Sequence, residues 1–186
     1  MKKLSFIITF LLAVITASAQ ESITASGAYE CKKVFTADGV SASSLYVRAL
    51  ETLSDWAGSQ QRSKANIDVQ DKDEGLVVYK GQLYLGFKKQ NFMCGWDVFA
   101  DFTMKARCKD GKIQLTITVP SMSFFWSCND DHETIPFAGI YPEFNYKNKL
   151  LTKKAAIEFT NNVFSESRAA IQAIGERITH PIEDDF

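Results

Sequence analysis

Two histidines, four cysteines and one dense acidic run hold most of the reactive chemistry in this 186-residue chain. Asp130-Asp131-His132-Glu133 follows Cys128-Asn129 and is the tightest group of metal-ligand types. Ca²⁺ would use the carboxylates, and Zn²⁺ the imidazole with a thiolate. No spacing of a known metal loop is present, so a charged, solvated loop tip is the favoured reading and no cofactor is expected. Nucleophile–histidine–acid catalysis would have to use His132 or His180. His180 stands beside Pro181 near the end of the chain, a poor place to hold a general base. No G-x-S-x-G, H-E-x-x-H or phosphate-cradling glycine loop occurs. A non-enzymatic domain is therefore expected. The alternative is a small hydrolase or metal-dependent enzyme centred on His132 and its acidic neighbours.

Aromatic residues crowd the same stretch. Phe124, Phe125, Trp126, Phe137, Tyr141, Phe144 and Tyr146 fall where no steady period is visible and where Pro136, Gly139 and Pro142 interrupt the chain. The segment from about 121 to 146 therefore reads as one long loop, and loops of that length are often functional. Large rings usually close a core. Some of these would instead rim a pocket between sheet and helix, offering ring faces to a lipid-like, sugar or peptide ligand. Phe124, Phe125, Trp126, Phe137 and Tyr141 are the candidate ligand-binding residues. Trp126, beside polar Ser127 and Asn129, is the favoured rim position.

The compartment is written at the start of the chain. Met1-Lys2-Lys3, an apolar run from Leu4 to Ile15, and Ala17-Ser18-Ala19 follow the order of a signal peptide over residues 1–19, cleaved before Gln20. A spanning helix needs about 20 apolar residues, so this run is too short for an anchor. Cys31 lies well beyond the cleavage point, which disfavours lipidation. The protein is expected to be periplasmic or secreted. Removing 19 of 186 residues leaves 167, the length of one domain over 20–186. The leader takes two of 21 basic residues against 22 acidic ones, leaving a formal charge of −3. That balance argues against nucleic acid as a partner. A small ligand or a cell-envelope protein remains.

Behind these residues stand the elements that must position them. Tyr29 to Phe35 reads as a strand. Ser41 to Trp56 reads as a helix, with Tyr46, Ala49, Leu50, Leu53 and Trp56 or Ala57 on one face and Gly58 as its stop. Ala65, Ile67 and Val69 alternate, and Leu76 to Phe87 is a longer strand with a bulge or bend at Gly81. After Gly95 the alternation is clear. Trp96, Val98, Ala100, Phe102, Met104, Ala106 and Cys108 face inward, and Asp97, Phe99, Asp101, Thr103, Lys105 and Arg107 face outward. Lys109-Asp110-Gly111 turns the chain into a partner strand with Ile113, Leu115, Ile117 and Val119 inward. A last helix covers about 147–178, bent near Asn161-Asn162, and Glu183-Asp184-Asp185 is a solvated tail. The order is β-α-β-β-β-β-α: an α+β domain with two helices across one face of a five-stranded antiparallel sheet.

On Lys33-Val34-Phe35, Gly39-Val40-Ser41, Ser44-Leu45-Tyr46-Val47-Arg48-Ala49, Trp56 and the strand pair around Lys109-Asp110-Gly111-Lys112, the chain resembles a family of secreted bacterial domains of unknown function, number 4468. The likeness covers roughly Tyr29 to Met122. It implies a TBP-like fold and brings no activity with it. The fold name points to DNA, but fold does not fix function, and charge and compartment argue against it.

The hairpin places two cysteines. With the turn at Lys109-Asp110-Gly111, paired residue numbers sum to about 220, so position 94 faces about 126, within two residues of Cys128. A Cys94–Cys128 disulfide is expected, and export permits it. A zinc site on Cys94, Cys128 and His132 would lack a fourth ligand. The resemblance pairs the first strand with the fifth, which leaves one strand between Cys31 and Cys108. Two strand spacings come to roughly 9–10 Å, so both are expected to be free, buried thiols.

Overall fold

A computed structural model describes residues 18–59, 66–90, 92–144 and 151–180. Residues 1–17 of the expected leader, Ala65, Tyr146, the start of the segment 147–178 and the tail from Pro181 lie outside the described residues. Seven strands and two helices follow one another: β1 (Gln20–Ile23), β2 (Tyr29–Thr36), α1 (Ala42–Ser59), β3 (Asn66–Asp71), β4 (Leu76–Lys89), β5 (Gly95–Lys109), β6 (Lys112–Trp126), β7 (His132–Pro136) and α2 (Lys153–Thr179), with a short 3₁₀ turn, Phe137–Gly139, after β7. The sheet is antiparallel throughout, in the order β1-β2-β6-β5-β4-β3, with β7 also paired to β6. The α+β class and the two helices on one face match the sequence reading. The strand count is seven among the described residues, not five.

The two extra strands escaped for physical reasons. All four residues of β1 are exposed, so burial imposed no alternation on them. β7 is short and lies inside the stretch read as a loop. That reading is corrected: residues 121–126 continue β6, and β7 folds back on them with Ser123 opposite Thr134 and Phe125 opposite His132. The cause is one extra residue in β6. Asp101 pairs with Ser121 but Thr103 pairs with Thr118, so β6 carries Val119 and Pro120 where β5 carries Phe102. Pro120 has no N–H for the ladder and belongs at such a bulge. Beyond it the parity of β6 flips. Ile113 to Val119 face the helices at odd numbers, then Met122 and Phe124 do so at even ones.

Gly81 is not the bulge of β4; it pairs regularly with Phe102. The irregularity lies between Tyr84 and Gly86, where φ at Gly86 is 131°. Gly81 instead leaves room for rings. Trp56 of α1 meets Tyr79 and Phe102 with centroids 5.6 and 5.5 Å apart, and a Cβ on Gly81 would come within 3.1 Å of both strand rings. Such ring pairs add about 0.5–1.5 kcal/mol each beyond the area they bury. Helix α1 buries Leu45, Tyr46, Ala49 and Leu53, and it runs through Gly58 to Ser59 rather than stopping there.

Helix α2 runs without interruption from Lys153 through Asn161-Asn162 to Thr179. Asn162 serves the sheet instead. Its Nδ2 donates to the carbonyl of Leu85 at 2.9 Å, satisfying the extra residue of the β4 bulge. Phe159, Val163, Ile171, Ile174 and Ile178 face the core. Among the described residues no helix is long and apolar enough to cross a membrane.

The disulfide joins Cys94 and Cys128 with Cα atoms 5.8 Å apart. The observed turn pairs Lys109 with Lys112, and the bulge adds one more, so pairs beyond it run as Trp96 with Trp126. The same register, extended two pairs past Trp96 and Trp126, sets 94 against 128. Cys31 and Cys108 are free and buried. Burial lifts the Cys108 thiol from near 9 to about 11 and raises that of Cys31. A buried neutral thiol favours the fold below the unfolded pKa, and that contribution is lost as pH climbs through the folded one.

Two outcomes follow. In a non-reducing peptide map Cys94 and Cys128 are recovered linked, whereas Cys31 and Cys108 alkylate at pH 8 only after denaturation; replacing the linked pair by serine lowers unfolding free energy by about 3–4 kcal/mol. Gly75 has φ 60°, and a Cβ there would lie 2.6 Å from the Cys108 carbonyl oxygen. Gly75→Ala therefore lowers stability by about 2 kcal/mol or more in urea unfolding.

Candidate functional site

The helices cover one face of the sheet, and the other face is where β4, β5, β6 and β7 display side chains in cross-strand rows. Register alone sets them. Gln82, Asp101 and Ser121 stand in one row, then Tyr84, Phe99, Ser123 and Thr134, then Phe87, Asp97, Phe125 and His132. Phe99 sits in the middle of this helix-free face yet is only 5% exposed. Other rings shelter it. Tyr84 lies 5.3 Å away and Phe125 meets it edge-on at 5.5 Å, while His132 stacks on Phe125 at 6.0 Å with planes 17° apart.

Around this floor the surface forms an open cleft of about 780 Å³. Lys80, Gln82, Asp97, Asp101, Thr103 and His132 supply its polar wall, and Phe99, Phe125 and Pro120 its apolar one. Asp101 is the most firmly held group. It accepts from Gln82 Nε2 at 2.7 Å, from Ser121 Oγ at 2.8 Å and from Ser123 Oγ at 2.6 Å. All three donors are neutral, so the carboxylate is oriented without its charge being cancelled. At the other end the Tyr84 hydroxyl donates to Asp97 Oδ1 at 3.2 Å. Lys80 is occupied by Asp68 at 2.8 Å. Such a cleft can seat a group that offers an apolar or ring face to Phe125 and hydrogen-bond donors or positive charge to the carboxylates.

The five aromatics singled out in sequence are dispersed. Phe125 lines the cleft. Phe124, one residue away, points to the helices, fully buried and edge-on to Phe159 of α2. Phe137 is fully buried among Tyr29, Tyr141 and Phe164. Tyr141 is half-buried, against Phe137, Phe144 and Phe164. Trp126 is half-buried on the helix side, its ring 4.9 Å from that of Trp96. These four close or border the core and do not meet Phe125 at one site.

Of the acidic run, Asp130 and Asp131 lie in the turn between β6 and β7, and His132 and Glu133 open β7. Asn129 holds the turn, accepting from the Asp131 N–H and donating to the Asp131 carboxylate. Among the described residues no three His, Cys, Asp or Glu side chains converge as a metal site. The joined sulfurs of Cys94 and Cys128 are not thiolates and cannot ligate zinc. His132 is separated from Asp97 by the whole of β6, about 9–10 Å across two strand spacings. That carboxylate cannot orient its ring. His180 closes α2, with Nδ1 3.0 Å from Thr179 Oγ1.

The residues missed in sequence are Gln82, Tyr84, Asp97, Phe99 and Asp101. One sign was present: Phe99 is a large ring in an otherwise polar outward set. What could not be seen was Phe125 beside it, because the bulge at Pro120 carries it across.

Residues 32–123 match the model of a domain of unknown function with a TBP-like fold, DUF4468. The chain belongs to that family. Two crystal structures carry the same fold. A DUF4468 family protein from Bacteroides ovatus superposes with TM-score 0.61 at 12% identity, covering 89% of this chain and 94% of that one. A TBP-like protein from Parabacteroides distasonis gives 0.62 at 10% identity, over 87% and 98%. At such identities the likeness is one of fold. None of the curated proteins matches the sequence. Within this DUF4468 domain, the match ends at Ser123, so Phe125 and His132 lie outside the matched segment.

Asp101 gives this site a stability signature. Asp101→Ala removes the acceptor of the Ser121 hydroxyl and leaves that of Ser123, only 4% exposed, with Thr134 Oγ1 at 3.1 Å as its remaining partner. Unfolding free energy falls by about 1–3 kcal/mol.

Proposed function

We propose that this domain is an exported, non-enzymatic binding or accessory module whose ligand seat is the helix-free cleft. One observation carries the reading: an aromatic floor of Phe99 and Phe125 flanked by Asp101, a carboxylate held by three neutral donors. Beyond holding its three donors, this carboxylate keeps an uncancelled charge, and a ligand with hydroxyl or ammonium donors gains from finding it already oriented. A sugar or a peptide fits this chemistry better than a purely apolar lipid tail, since the cleft is open and its ring floor is edged by oriented carboxylates. The leader-like first 19 residues and the disulfide support export. The single imidazole in the cleft stacks on a phenyl ring, an arrangement suited to contact with a ligand face and not to general-base catalysis.

The exported protein, purified from its native envelope, should begin at Gln20 by mass spectrometry. A panel of oligosaccharides, short peptides and fatty acids, followed by protein-detected NMR, should yield a binder that shifts Phe99, Phe125 and His132 resonances. Phe125→Ala should weaken it at least tenfold, and Tyr141→Ala should leave it unchanged. Turnover of any panel member that is abolished by His132→Ala would replace this reading with the hydrolase.

A further inference from the structure

The opposite end of the helix-free face carries the reverse charge. Where β5 turns into β6, the register sets Arg107 beside Gln114 and Val34, and Lys109 beside Lys112. These five residues line a hollow of about 270 Å³. One row along, Lys105 and Lys32 flank Thr116. The three cations of the hollow are exposed, and among the described residues none is in an ion pair. The nearest carboxylate in sequence, Asp110, is engaged elsewhere: its Oδ1 accepts from the Ala42 N–H at 2.8 Å. On β2 the acidic residue of this face is Glu30, four residues along the strand from Val34, about 13 Å.

A sheet gains nothing from this arrangement. Like charges directly opposite each other, as at Lys109 and Lys112, destabilise a strand pair. The formal charge of the whole chain is −1, so no general excess of base explains five cations gathered on one patch. The patch is concave, and it mixes donor types. Arg107 presents a planar fork suited to two oxygens of one oxyanion, the lysines add point charges, Gln114 adds a neutral amide, and Val34, 39% exposed, adds an apolar wall. Its volume is below the 300–1,000 Å³ typical of drug-sized pockets, which suits a compact ester or headgroup.

We propose that this hollow is an oxyanion site for a phosphate or sulfate monoester, with Arg107 gripping the oxyanion, Lys109 and Lys112 neutralising it, and Val34 facing the carbon that bears it. The site stands apart from the aromatic cleft and does not depend on that cleft's function. Its ester could be a soluble phosphorylated sugar or alcohol, or the headgroup of an anionic lipid.

The test uses the full exported chain at constant ionic strength, titrated with inorganic phosphate, with glycerol phosphate and with sodium chloride alone, and followed by amide NMR. Saturable shifts at Lys109, Lys112 and Gln114 with either phosphate, absent with chloride, are expected. Arg107→Gln should weaken them at least tenfold, while Lys89→Gln, an equal loss of charge at the far end of β4, should not. Co-sedimentation with phosphatidylglycerol vesicles that glycerol phosphate competes away would identify the lipid source, and binding of glycerol phosphate without vesicle binding the soluble one. Equal response to chloride, indifference to Arg107→Gln, or binding confined to a polyanion such as heparin would each overturn the proposal.

Discussion

Everything in this fold hangs on the ladder between β5 and β6, and that ladder has one flaw built into it. The two strands pair from Lys109 with Lys112 to Trp96 with Trp126, broken once where β6 carries an extra residue beside Phe102. A one-residue insertion exchanges the faces of every side chain that follows. Here it sends Met122 and Phe124 under α2 and Ser121, Ser123 and Phe125 to the open side. The same offset brings Cys94 opposite Cys128. Core closure, the disulfide and the cleft floor are thus consequences of a single irregular step at Val119-Pro120.

The open face is organised along the strands rather than across them. Its far end is aromatic and acidic, with Phe99, Phe125, Asp97 and Asp101. Its hairpin end is basic, with Arg107, Lys109 and Lys112. Between them lie neutral Thr103, Thr116 and Thr118. Overall charge averages these two regions to near zero, which is why composition describes neither.

Much of this was legible in sequence, and the failures share a cause. Alternation from Gly95 to Val119 is regular because one side of the sheet is buried and the other wet, so the hairpin, its inward residues and the cysteine pairing could be read directly. Legibility ends at Pro120 because periodicity is blind to a phase change. A continuing strand with flipped parity looks like no strand at all. Asn162 has a role that no local pattern shows. Consecutive asparagines suggest a weak point in a helix, but one of them is satisfied by a strand carbonyl 77 residues away. The open-face site needed four strands in register to become visible, and its one local sign, Phe99 among polar neighbours, acquires meaning only beside Tyr84 and Phe125.

The β5–β6 turn also has a bearing on how cooperatively the domain comes apart. Asp110 satisfies the Ala42 N–H at the start of α1, and the backbone of Gly111 exchanges hydrogen bonds with Ala37 and Val40 in the segment leading into that helix. The first turn of α1 is therefore capped twice, locally by Ser41 Oγ on the Ser44 N–H at 3.2 Å and from Asp110, 68 positions away, on the Ala42 N–H. Helix ends ordinarily fray on their own, ahead of the body. This one is tied to the tip of the central hairpin through the Ala42 amide, which exchanges with solvent only when the Asp110 contact also lets go. The start of the helix and the tip of the hairpin are thereby coupled in opening.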